Sequence, residues 1–275
     1  MTDRVAVSVT DGVADVRMNR PDKLNALDGA MFAALAETGE TLAADPSVRV
    51  VVLSGEGRSF CAGLDFASFQ AMAGGGSDDK DALRRMAANP VDRLPGKITN
   101  AGQQAVYAWT EMPQPVIAAV SGHALGGGIQ VALGADLRIV APDVKMSVME
   151  IKWGLVPDMT GTAQLVRLVG LDVAKELTFT GRIVDGTEAV RLGLATRVAD
   201  DPRAAALDLA REIARRSPDA IRQAKRLLNA AVDSTRAEAF LEESRALDAL
   251  RGGANQVEAV MAEFEKRAPK FADPA

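Results

Sequence analysis

Apolar residues recur at every second position through Val5–Val9. Asp11-Gly12 follows, and Val13–Met18 is again strand-like, so the pattern predicts a β-hairpin with a two-residue turn. Asn25–Leu42 carries Leu27, Met31, Leu35 and Leu42 near helical spacing and predicts a helix. Val50–Leu53 is a continuous apolar run, the signature of a strand buried on both faces. Gly55–Gly63 is a glycine-bearing loop, after which Asp65–Ala73 turns helical. Ala105–Met112 reads as a short helix stopped by Pro113 and Pro115. Val116–Val120 is a second buried strand, Gly122–Gly128 a second glycine-rich loop, Ile129–Leu133 a helix start and Asp136–Val140 a strand. Thr162–Val169 and Val173–Thr180 look helical.

Beyond about Asp200 the pattern is helical throughout. Ser217-Pro218 is an N-cap with proline in the first helical position. Thr235-Arg236-Ala237-Glu238 is a capping box, and Gly252-Gly253 ends that helix. Val257, Met261 and Phe264 then form the stripe of a last helix. The pattern divides the chain into a core over residues 1–200 and a helical appendage over 201–275 that packs on the core or on another subunit. Gly74–Asn100 fits neither part. It reads as a surface excursion, either a lid or a loop without a role. Trp109 and Trp153 are expected in the core.

Composition narrows the function. The chain has 275 residues, 48% of them apolar, enough for a sizeable core. With 32 basic and 37 acidic residues its net charge is −5, which gives no nucleic-acid footprint. One cysteine, Cys61, and one histidine, His123, exclude an internal disulfide and a Cys/His zinc site. The N-terminus lacks the apolar stretch of a signal peptide, and no run reaches membrane-spanning length. A cytoplasmic soluble enzyme is expected.

The candidate chemistry lies in a plan that occurs twice: buried strand, glycine-rich turn, helix start. Such turns present backbone N–H groups without intrahelical partners, and two of them aimed at one point make an oxyanion hole. One donor is expected from the Phe60–Phe66 segment and one from Gly126–Gly128. Neither loop spells a dinucleotide or P-loop fingerprint, and no serine nucleophile elbow occurs. His123 reads as a spacer inside the second loop. Cys61 reads as a small loop residue rather than a nucleophile, since no second histidine is available to activate it.

Several motifs together resemble the crotonase superfamily, the enoyl-CoA hydratase/isomerase family. They are Arg20-Pro21-x-x-x-Asn25-Ala26-Leu27, Phe60-Cys61-Ala62-Gly63-Leu64-Asp65, Pro115 to Gly128 with its Gly126-Gly127-Gly128, Gly154-Leu155-Val156-Pro157, and Phe264-Glu265-Lys266-Arg267 with Pro269 and Phe271. The resemblance covers nearly the whole chain. It implies an α/β fold, a spiral of β-β-α units followed by a C-terminal helical trimerisation region, in a homotrimer or a dimer of trimers. It implies an acyl-CoA substrate, with coenzyme A part of the substrate and no separate cofactor or metal. The oxyanion donors would be the N–H groups of Leu64 and Gly127. Lys23, Leu24, Ala26, Ala62, Gly63, Asp65, Phe66 and Gly126 would line the coenzyme A channel, and Lys266 and Phe271 would reach the adenine end from a neighbouring subunit.

The family's hydratases use two glutamates, whose positions here hold Gln130 and Glu150. Gln130 cannot exchange a proton and can only orient water or a substrate group. Glu150 is the expected base. Asp158 matches an acidic position of the family's dienoyl-CoA isomerases, and equally reads as a helix N-cap. These residues fit double-bond migration better than hydration. Thioester hydrolysis, carbon–carbon cleavage and acyl-CoA binding with little catalysis remain alternatives on the same scaffold.

Overall fold

A computed structural model describes residues 4–65 and 91–274. β1 (Val5–Thr10) and β2 (Val13–Met18) form the expected antiparallel hairpin, with Val5 opposite Met18 and Thr10 opposite Val13. Its turn residues Asp11 and Gly12 both take positive φ, at 51° and 77°, as a two-residue hairpin turn requires. β2 then runs parallel to β3 (Val50–Gly55), followed by β4 (Val116–Val120). A second, two-stranded parallel sheet pairs β5 (His123–Leu125) with β7 (Lys145–Ser147). Between them in sequence, β6 (Leu137–Val140) joins the large sheet, which β8 (Arg197–Val198) completes in the order β1-β2-β3-β4-β6-β8.

The two sheets are built in step. β4 leads into β5 and β6 into β7, so each turn of chain leaves one strand in the large sheet and one in the small. Two isolated bridges extend the small sheet: Cys61 pairs with Ala124, and Met146 with Val184. This is the spiral that the sequence led us to expect.

Helices cover both faces of the large sheet. On one side lie α1 (Gly29–Ala43), α2 (Ala101–Glu111) and α3 (Gly127–Leu133), packed over Val51, Leu53, Val116, Ala118 and Val120. α4 (Gly161–Val169), α5 (Leu171–Thr180) and α6 (Gly186–Leu192) follow. α7 (Pro202–Ala214) lays Ala206, Ala210 and Ala214 on the opposite face, against Val50, Val52, Ile117, Ala119 and Ile139. Burial on both faces explains why β3 and β4 are apolar at successive positions. The first helix after Asp200 therefore completes the core of the sheet. α8 (Pro218–Ala231), α9 (Arg236–Leu250) and α10 (Ala254–Glu265) lie beyond it.

Three local expectations are corrected. α1 starts at Gly29 rather than Asn25, because Leu24 and Asn25 take left-handed backbone and Asp28 caps the helix through the Met31 N–H. α2 starts at Ala101, where Asn100 and Gln103 form a capping box inside the segment read as an excursion. Trp109 is buried as expected, but Trp153 is half exposed. The stripe of Val257, Met261 and Phe264 faces outward, with Phe264 78% exposed. All but Asp65 of the helix expected over Asp65–Ala73, and the stretch 74–90, lie outside the described residues. Among the described residues, no helix is long and apolar enough to cross a membrane.

Candidate active site

The two glycine loops lie side by side. Phe60 N–H donates to Ser121 O (2.8 Å), Cys61 N–H to His123 O (2.8 Å), and Leu125 N–H to Cys61 O (3.1 Å). Glycine makes this approach possible. A Cβ on Gly128 would lie 2.2 Å from Cys61 O, and one on Gly63 2.5 Å from Leu125 O and 3.7 Å from Gly127 N. On its other edge the first loop pairs with residues 24–27. Ala62 N–H donates to Leu24 O (3.0 Å), Leu27 N–H to Gly63 O (2.8 Å), and Asp65 N–H to Leu27 O (2.9 Å). The N–H of Leu64, between the last two, therefore faces the edge away from Leu27. Gly127 begins α3, where an N–H has no intrahelical acceptor, and Leu27 and Met159 wall it in.

The acidic residues come from the far end of the small sheet. Just past β7, a 3₁₀ turn (Glu150–Trp153) brings Glu150 beside the second loop. A Cβ on Gly126 would lie 3.6 Å from Glu150 Oε1. Gln130, on α3 and fully buried, donates from Nε2 to that same oxygen at 2.6 Å. Its carbonyl Oε1 accepts the backbone N–H groups of Met159 (2.8 Å) and Gly161 (3.0 Å). Glu150 Oε2 is buried and has no hydrogen-bond partner among the described residues. Burial holds the Glu150 carboxyl above its ordinary 4.5, and the charge of nearby Asp158 pushes the same way. The hydrogen bond from Gln130 pulls it down without prevailing. Asp158 is open to solvent, yet partial desolvation raises its carboxyl as well. The cluster thus offers a proton carrier poised above the usual carboxylate range beside a backbone N–H.

A family model described as enoyl-CoA hydratase/isomerase matches residues 8–274. The chain belongs to the enoyl-CoA hydratase/isomerase family. It is similar to the Mycobacterium leprae protein named "Probable enoyl-CoA hydratase echA8", with 34% identity over 98% of each chain. It is also similar to the (E)-benzylidenesuccinyl-CoA hydratase of Thauera aromatica, with 31% identity over 97% of this chain and 98% of that one. Among solved structures, the enoyl-CoA hydratase of Bacillus anthracis superposes with a TM-score of 0.85 at 28% identity, covering 98% of both chains. The spiral described above is therefore a crotonase fold.

Within this family member, most residues picked from the sequence converge. Leu24, Ala26, Ala62, Gly63, Leu64 and Asp65 adjoin the first loop, and Gly126, Gly127, Gln130, Glu150 and Asp158 the second. Several also have structural partners of their own. Gly126 at φ 54° donates its N–H to Ser147 O (2.9 Å) and so anchors the loop. Asp65 pairs with Arg20 at 2.6 Å, both largely buried, which braces the loop from outside. Asp158 is not a helix cap: α4 begins after Thr160, which has a φ of 71°. Lys23 is exposed at the end of a short 3₁₀ turn (Pro21–Lys23). Phe66 lies outside the described residues. Lys266 and Phe271 are not at this chain's site. Lys266 pairs with Glu263, and the carbonyl of Phe271 accepts from Arg49, just before β3, whereas the site lies past the other ends of the strands.

Sequence reading did not find Asn25 as a brace, or Met159, Thr160 and Gly161. Buried Asn25 accepts Arg20 N–H (2.8 Å) and donates to Glu56 O (3.0 Å) and Ser59 O (2.7 Å), tying the 3₁₀ turn to the first loop. An asparagine after a proline-containing turn is a signal for left-handed backbone that could have found it. Cys61 is buried, with its thiol pushed up to about 12 by desolvation, which agrees with an inert loop residue. His123 sits against Ser59 Oγ (3.3 Å), and burial with nearby Lys145 and Arg58 lowers its pKa, consistent with a spacer.

Proposed function

We propose that this chain moves a carbon–carbon double bond in an enoyl-CoA, with Glu150 carrying the proton. The N–H groups of Leu64 and Gly127 would donate to the thioester oxygen as it becomes an enolate oxygen. Each such donor is worth about 3 kcal/mol in the transition state. Ionised Glu150 takes a proton from the carbon next to the thioester. Electrons from that C–H bond form a double bond to the thioester carbon and push the carbonyl pair onto oxygen, leaving a dienolate that keeps the old double bond. The protonated Glu150 then returns the proton two carbons further along, and the dienolate collapses to a 2-enoyl thioester. No water is added and no group leaves.

The observation that carries this reading is the 2.6 Å contact of Gln130 with Glu150. It leaves the cluster with one buried carboxyl and with an amide that cannot act as a second acid. Hydration is the second reading, favoured by the names of the relatives, with Glu150 activating water. Purified protein offered a panel of 3-enoyl-, dienoyl- and 2-enoyl-CoAs tests the choice. Isomerised product without added water is expected, and Glu150→Gln should lower turnover by about 1,000-fold. Full activity in that variant removes Glu150 from the mechanism, while release of free coenzyme A by the wild type points to hydrolysis instead.

The helical C-terminal region would assemble trimers, alone or as pairs. Exposed Leu228, Phe240, Leu247 and Phe264 support this, since such large apolar side chains on neighbouring helices are rarely left to water. Light scattering after gel filtration should return three or six chains. In such an assembly Lys266 and Phe271 would serve a neighbour's coenzyme A.

A further inference from the structure

Gln130 satisfies three polar groups drawn from two separate segments. Its amide nitrogen holds Glu150, and its amide oxygen holds the N–H groups on either side of Thr160. Thr160 needs holding. A β-branched residue at φ 71° is a backbone outlier, disfavoured by about tenfold or more. Its own hydroxyl does not stabilise the turn, for Oγ1 is buried without a hydrogen-bond partner among the described residues. Gly161 is shaped to admit the amide, since a Cβ there would lie 2.6 Å from Gln130 Oε1. Asp158 sits at the start of this turn, so the amide that fixes Glu150 also fixes the backbone that carries Asp158.

We infer that Gln130 is a positioning residue that aligns both carboxyl groups with one side chain. Its N–H occupies Glu150 Oε1, so proton transfer runs through Oε2 alone. Its C=O clamps the left-handed turn at Thr160 and thereby sets Asp158 against Glu150. This rests on the assignment of Glu150 as proton carrier. It goes further by separating two duties of one amide, each of which a different substitution removes.

Four proteins test it: wild type, Q130L, Q130E and Q130L/T160G. Two readouts are taken, the pH profile of kcat and KM on a 3-enoyl-CoA, and the ¹³C NMR titration of the Glu150 carboxyl without substrate, assigned with E150Q. Q130L loses both duties. Its kcat should fall about 100-fold with KM within about threefold, as expected when positioning rather than binding is lost. Its Glu150 titration should move up by about one pH unit, because a hydrogen bond that favoured the carboxylate is gone. T160G gives the turn a residue that adopts positive φ freely, so in the Q130L background kcat should recover about tenfold. The raised titration should persist there, since Glu150 still lacks its donor. Q130E keeps an acceptor for Met159 and Gly161 but sets a second carboxylate where the donor was, so its titration should rise further than that of Q130L. An unmoved Glu150 titration in both Q130L and Q130E overturns the first duty, and absence of recovery on adding T160G overturns the second. Should the wild type convert no acyl-CoA, the catalytic reading falls, and the carboxyl titration still decides whether Gln130 sets Glu150.

Discussion

The paired glycine loops and the Glu150 cluster meet at Gly126 but are made of different materials. The loops are backbone laid on backbone, with Cys61 against His123 and Leu125, and glycines where any side chain would collide. Their contacts are N–H to C=O bonds that do not titrate, and burial with nearby Lys145 and Arg58 lowers the pKa of their one histidine, His123. The cluster consists of side chains, and its function depends on where protons lie. Glu150 is held above the ordinary carboxylate range by burial, and Gln130 works against that shift. On the proposed reading, one region would fix where a substrate oxygen sits, and the other would decide which atoms exchange protons. Conditions that alter the second should leave the first untouched.

The largest test of this contrast is G128A. A Cβ 2.2 Å from Cys61 O forces the loops apart, which should cost about 3 kcal/mol of stability and at least about 100-fold in turnover. Thermal denaturation and kinetics report the two losses. Whatever activity remains should keep the wild-type pH profile, because the carboxyl cluster is intact. An altered profile would show that the two regions are not separable.

Acidity should act on the cluster alone. On the proposed mechanism Glu150 works ionised, and burial raises its folded-state pKa from the ordinary 4.5. Activity is therefore full above that raised value and falls about tenfold per unit as pH drops below it, by simple titration of one base. The sign is reversed for stability: ionising a carboxyl whose folded pKa is raised disfavours the folded state, so this group's contribution weakens as pH rises from the unfolded value through the folded one. Denaturation midpoints of wild type and E150Q across that window should converge at its acid end.

D158N should have a smaller effect. Removing a charge that raises the Glu150 pKa should move the acid limb of the profile to lower pH, with turnover reduced about fivefold. A limb displaced to higher pH would contradict the electrostatic link. C61A should do least, with turnover within about threefold, since the buried thiol is far from ionising near neutrality.

The legible part of the molecule was the part written in local pattern. Val5–Met18 alternates, β3 and β4 are continuous apolar runs, and Ser217-Pro218 and Thr235–Glu238 mark their helix starts, because each signal depends on residues within one turn of each other. The glycine loops were legible for the same reason. The helix over Asn25–Leu42 was begun too early because apolar spacing continues through Asn25, while its left-handed conformation depends on Glu56 and Ser59. Gln130 is legible as an amide unable to move a proton, whereas most of its partners are not. Those are the backbone N–H groups of Met159 and Gly161, which carry no signature in side-chain chemistry. The outward face of α10 was likewise unreadable, for an apolar stripe looks the same whether its own chain covers it or not.

The small sheet also governs when the centre comes into being. Cys61 pairs with Ala124, β5 with β7, and Met146 with Val184, so the pocket is closed by segments that meet only after long stretches of chain have been gathered. Contacts of this kind form late, since the entropy of closing each loop must be overcome before any contact rewards it. A chain emerging from the ribosome as far as Glu150 holds that carboxyl and both glycine loops but not the Met159–Gly161 turn. Competence should therefore appear as a single late event, with no weaker enzyme along the way.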